Sequence, residues 1–254
     1  MVEALAFIAG LVLGSFLNVC IRRVPLRESI VRPRSHCPNC AASIHPYDNI
    51  PVVSYVLLRG RCRACNQPIS LRYPLVELLT GVAVLALVEH FGVTPPLFVY
   101  VAFIAALIII TFIDLDHQII PDVISLPGIV VGLACALIGL GPPLGASLAG
   151  LLLGGGFLYA VAAGYQLLTG REGMGGGDIK LLAMIGTFVG WTGVLTTLLL
   201  ASFSGALVGG GLILLGRSDG RTPIPFGPFL ALGATCALFL GNRVIDWYLK
   251  RFFL

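Results

Sequence analysis

Three groups of residues have the side chains and spacing to do chemistry. Residues 110–122 read ITFIDLDHQIIPD and place Asp114, Asp116 and Asp122 at the edge of a long apolar run. Residues 173–180 read GMGGGDIK and set Asp178 directly after Gly175, Gly176 and Gly177. Residues 36–65, HCPNCAASIHPYDNIPVVSYVLLRGRCRAC, hold two CxxC pairs, Cys37 with Cys40 and Cys62 with Cys65.

A carboxylate in a membrane span costs up to roughly 2.5–3.5 kcal/mol on insertion scales and less near an interface, so one acid at a span end can be tolerated without a task. Two acids that meet gain a reaction. One carboxylate activates water as a general base, while the other, protonated, polarises a peptide carbonyl and then protonates the leaving amine. Like charges at short range share a single proton, which makes that division of labour possible. Asp114 is the deepest acid of the first cluster, and Asp116, two residues on, lies about 200° round a helix and cannot share its face. Asp122 follows Pro121 and reads as the capping start of the next helix. His117, one turn from Asp114, reads as an interfacial residue. Asp178 opens the helix DIKLLAMIGTFVG after glycines that permit close backbone approach or positive φ. An N-cap is the bland alternative for it. A phosphate-binding loop fits poorly, because no strand precedes the glycines and the following helix is membranous. The pair expected to work together is therefore Asp114 with Asp178.

Two CxxC knuckles separated by 21 residues present four thiolates, the tetrahedral set that structural zinc prefers. A polar segment of about 50 residues is too small to fold securely alone, so Zn2+ is expected to be structural. A reducing cytoplasm keeps such thiols free to bind metal. His36 and His45 are spares, and Cys20, Cys135 and Cys236, in separate spans, read as packing residues.

The elements that must position these groups are membrane helices. In 254 residues the chain is 57% hydrophobic and 11% charged, with mean hydropathy +0.97, against a usual charged fraction of about 25%. Apolar runs long enough to cross a bilayer recur, and in lipid only helices satisfy their own backbone. The fold class is all-α and polytopic, with about eight transmembrane helices over 2–20, 74–92, 97–114, 122–140, 145–168, 179–194, 196–216 and 226–247. Two crossings in 181–216 are a tight fit, so one short or broken helix is expected there. Glu3 stands where a signal peptide would carry basic residues, so the first span reads as retained. The chain divides into a first helix at 1–21, a small zinc-binding cytoplasmic domain at 22–73 and a seven-helix core at 74–254. Segment 22–73 holds nine arginines against only Glu28 and Asp48, which marks it as cytoplasmic and the N-terminus as outside. Arg243, Lys250 and Arg251 dissent from that orientation. The lipid bilayer is an expected partner; nucleic acid is not.

GSFLNVCIRRVP (14–25), the CPNC and CRAC knuckles, DNIPVVSYVLLRGRC (48–62), ISLRYPLVELLTG (69–81), IDLDHQIIPD (113–122) and GMGGGDIKLLAMIG (173–186) together resemble the type IV prepilin peptidases, bifunctional leader peptidases and N-methyltransferases of the GxGD intramembrane aspartic protease kind. The motifs run in order over nearly the whole chain. The resemblance implies a bacterial inner-membrane enzyme with its catalytic pair at Asp114 and Asp178 and zinc on Cys37, Cys40, Cys62 and Cys65. It implies prepilin or pseudopilin substrates, cut after the glycine that ends a short basic leader, and S-adenosylmethionine as donor for methylating the new N-terminus. The residues alone do not reveal the methyl transfer, because no Rossmann-type glycine turn is present; Asn18, Arg22 and Glu77 are its candidates. A basic leader meeting a basic cytoplasmic segment would be repelled in bulk, so Glu172 or Asp116 is expected to position it. A proton-coupled membrane transporter is the alternative that intramembrane carboxylates also suit, though no repeat symmetry supports it.

Overall fold

In the computed structural model, residues 1–170, 175–216 and 224–241 are described, and among them the chain is helical without a β-strand. The helices are α1 (Val2–Arg23), α2 (Val53–Leu57), α3 (Arg72–Phe91), α4 (Pro95–His117), α5 (Asp122–Leu137), α6 (Leu144–Thr169), α7 (Gly176–Leu214) and α8 (Gly227–Leu240). Five of them, α1, α3, α4, α6 and α7, are long and apolar enough to span a bilayer, and α5 and α8 are shorter apolar helices. This is a multi-pass membrane protein. Its chain forms two compact units, residues 1–109 and 110–254.

In the first unit α1 packs along α3. Gly10 and Gly14, one helical turn apart, let the backbones of Gly81 and Glu77 approach closely, as small residues do where lipid supplies no hydrophobic drive between helices. Buried polar groups tie the ends of this pair. The Asn18 amide donates to the Tyr73 carbonyl at 3.1 Å. Arg23, at the last turn of α1, donates to the carbonyls of Ser29 and Pro33, each at 2.8 Å.

In the second unit α5, α6 and α8 pack against α7. The expected break in 181–216 is real, and it falls at Gly190, whose φ of 72° and ψ of 178° interrupt the helix. Before it, α6 and α7 run antiparallel, with Ala146 facing Gly190, Gly150 facing Gly186 and Gly154 facing Leu182. Beyond it, Leu195, Leu199 and Ser202 share a cavity with Leu153 and Phe157 of α6. Were α7 straight, Leu199 would lie roughly 30 Å from Phe157. The chain therefore turns back at Gly190, five residues earlier than the boundary read from the sequence. Only glycine takes this left-handed φ without a Cβ penalty. Ser147 locks the α6–α7 contact by donating to the Thr187 carbonyl at 2.8 Å.

Candidate active site and metal centre

Helix phase decides which acid of the first cluster turns inward. Asp114, in the last turn of α4, is 5% exposed, whereas Asp116 and His117 are exposed. Asp114 Oδ2 accepts the Gly227 N–H at 2.9 Å. Gly227 is the first residue of α8, so the end of a helix that carries unsatisfied N–H groups and positive dipole faces the carboxylate. A Cβ at Gly227 would lie 2.6 Å from that oxygen, which leaves room for glycine alone. Sequence reasoning does not single out Gly227. The signal available was Phe226-Gly227-Pro228, a helix-starting proline preceded by the residue that has no side chain.

Asp178 is the third residue of α7 and not its N-cap; Gly175 takes that position in extended conformation. The Asp178 carboxyl group is half-buried and lies close enough to Asp114 for the two to interact electrostatically. The glycines before it do not use positive φ, since Gly175 sits at −70° and the other two are helical. What Gly177 supplies is space, because a Cβ there would lie 2.9 Å from Ile120 Cβ. Asp122 departs from its expected capping role. It begins α5 without a capping bond, and both its oxygens instead take Lys180 Nζ at 2.8 Å. Glu172 lies outside the described residues.

The four knuckle cysteines converge, with all their Sγ atoms within 4.8 Å of one another. Cys37 and Cys65 Sγ are 3.9 Å apart, close to the ~3.8 Å edge of a tetrahedron built on Zn–S bonds of about 2.3 Å. The two knuckles repeat one backbone design. The Cys37 N–H bonds to Ala42 O and Ala41 N–H to Cys37 O, and the Cys62 N–H bonds to Gln67 O and Asn66 N–H to Cys62 O, all at 2.9 Å. Ala41 and Asn66, each four residues past its leading cysteine, share a positive φ of 57° and 58°. The backbone N–H of Cys40 leads the groups that hold the Cys37 thiol down at about 6. Gln67 N–H pulls Cys65 down too, but burial and the three other thiols push it up to about 11. Four thiols this close cannot all ionise without a cation among them. The donor set fits zinc. His36 bonds to the Arg34 carbonyl and His45 stacks on Tyr47, so both stay out of the cluster.

Two family models match the chain: the bacterial peptidase A24 N-terminal domain over residues 8–91 and the type IV leader peptidase family over residues 101–210. A prepilin leader peptidase/N-methyltransferase of Aeromonas salmonicida is 41% identical, covering 97% of this chain and 94% of the relative. Those of Pseudomonas aeruginosa and Burkholderia pseudomallei are 39% and 37% identical, over 95% and 94% of this chain and 91% and 85% of theirs. The chain belongs to the type IV leader peptidase family. No solved structure matches it significantly. The family assignment leaves the transporter reading without support.

The methyl-transfer candidates lie in the first unit. Glu77 is buried and accepts the Val52 N–H at 2.7 Å, with the Ser15 hydroxyl as a further partner. Asn18 is 4% exposed, and its Oδ1 has no donor among the described residues. Arg22 is partly exposed; its neighbour Arg23 is the buried arginine. Ser15, Arg23, Arg34, Ser35 and Asn49 line a cavity of about 630 Å³ whose remaining walls are apolar.

Proposed function

We propose that this chain cleaves the basic leader peptides of type IV prepilins or pseudopilins at the cytoplasmic face of a bacterial inner membrane, then methylates the N-terminus it has exposed. The nine arginines of residues 22–73 favour that segment inside and the N-terminus outside, in a topology of eight crossings that counts the two arms meeting at Gly190. The observation that carries the reading is that Asp114, bonded to the N-terminus of α8, lies within electrostatic range of Asp178, in a chain of this family. Asp114, facing N–H groups and the positive end of a helix dipole, is suited to hold the negative charge and draw a proton from water. Asp178 carries the shared proton and donates a hydrogen bond to the scissile carbonyl. The water oxygen bonds to the carbonyl carbon; as the C–N bond breaks, the nitrogen takes a proton from the dyad and leaves as the amine.

Zinc on Cys37, Cys40, Cys62 and Cys65 would supply folding energy to the cytoplasmic segment and no chemistry. S-adenosylmethionine would supply the methyl group. The cavity lined by Ser15 and Arg23 is of the size that binds small ligands, roughly 300–1,000 Å³, and offers cations to a carboxylate and apolar walls to a purine. Asn18 and Glu77 brace the helices behind it.

The test is cleavage of a purified prepilin in detergent by wild type and by Asp114→Asn, Asp178→Asn and Asp116→Asn. The first two are expected to lose at least about 10²-fold in kcat, the usual weight of a general acid or base, while the third keeps its kcat, any effect of Asp116 on leader binding falling on KM. Survival of activity in either of the first two would sink the dyad, and loss with the third would mean that the wrong acid has been chosen.

A further inference from the structure

Asp178 is placed by contacts it does not itself make. The chain leaves α4 through Gln118, whose φ is +54°, and runs across Ile120 and Pro121 into Asp122. This turn touches the start of α7 on both sides of Asp178. One residue before it, Gly177 lies against Ile120 so closely that any Cβ would be 2.9 Å away. Two residues after it, Lys180 Nζ sits 2.8 Å from both oxygens of Asp122. The same turn begins four residues beyond Asp114, whose carbonyl accepts the Gln118 N–H at 2.9 Å. A lysine this near a helix N-terminus opposes the helix dipole, so helix stability does not explain it.

We propose that the Asp122–Lys180 ion pair and the Ile120–Gly177 contact form a clamp that fixes the reach of Asp178 toward Asp114, making Asp122 and Lys180 positioning residues for the cleavage reaction. The clamp rests on the dyad reading. The pair is half exposed, with 39% and 55% of its side chains accessible, and exposed pairs contribute little to stability. Its value is geometric. A displacement of about 1 Å at a catalytic group can cost on the order of 100-fold in rate.

The experiment measures kcat and KM for prepilin cleavage, and thermal midpoint, in full-length enzyme carrying Asp122→Asn, Lys180→Met or the exchange Asp122→Lys with Lys180→Asp. Asp114→Asn and Asp178→Asn run beside them. Each single change is expected to lower kcat about tenfold or more with KM and midpoint nearly unchanged, the signature of an interaction that acts on the transition state alone. The exchange is expected to recover most of the loss. Singles that keep the wild-type kcat, or an exchange no better than the singles, would overturn the clamp while inactive Asp114→Asn and Asp178→Asn leave the dyad standing. Activity in those two aspartate variants would overturn both.

Discussion

Two buried carboxylates, one in each unit, show how the same group is put to different uses. Glu77 in the 1–109 unit takes the Val52 N–H and the Ser15 hydroxyl. Asp114 in the 110–254 unit takes one backbone N–H and then faces another acid. A buried carboxylate given donors holds helices and a turn together. One set opposite its own kind is suited to proton transfer, because two like charges side by side have no structural merit. Both units bring helices together through glycine, but only the first adds a pair of cysteine knuckles.

The contrast can be broken first at the knuckles. Cys37→Ser with Cys62→Ser is expected to abolish bound zinc, measured as metal per chain by mass spectrometry, and to leave residues 22–73 open to protease, since structural zinc contributes roughly 10–16 kcal/mol in small domains. Zinc retained at one per chain would contradict the ligand set. Next comes Gly227→Ala. Its methyl carbon would lie only 2.6 Å from Asp114 Oδ2, so cleavage is expected to drop on the order of tenfold to a hundredfold through misplacement of the acid, read as kcat. The smallest effect is expected from Glu77→Leu, which leaves the Val52 N–H without its acceptor. A buried donor left unpaired costs roughly 1–3 kcal/mol, to be read as a lower thermal midpoint of the first unit, with cleavage kinetics at permissive temperature close to wild type.

Much of this was legible in the sequence, for physical reasons. Apolar runs long enough to span a bilayer need no partner to be recognised, so α1, α3, α4, α5 and α6 begin and end within a few residues of the expected spans. The four cysteines that converge declare themselves by local spacing, and the burial of Asp114 rather than Asp116 follows from helix phase alone. What stayed hidden depended on pairs distant in the chain. Gly186, Gly190 and Gly193 are equally eligible for the break, and only the close approach of α6 at Ala146 and Gly150 selects among them. Asp122 looks like a cap until Lys180, 58 residues on, is brought to it. Gly227 is 113 residues from the carboxylate it serves. Arg22 and Arg23 cannot be told apart until the fold buries one.

The central claim is that the two units hold two separable activities, cutting on Asp114 and Asp178 and methyl transfer on the 1–109 unit. The direct measurement gives Asp114→Asn and Asp178→Asn enzymes a pilin peptide whose N-terminus is already free, with labelled S-adenosylmethionine, and counts methyl incorporation beside a cleavage assay on the uncut prepilin. The expected result is cleavage lost and methylation of the pre-cut peptide retained near the wild-type rate. Loss of both activities together, in protein that keeps its zinc and its thermal midpoint, would contradict the division.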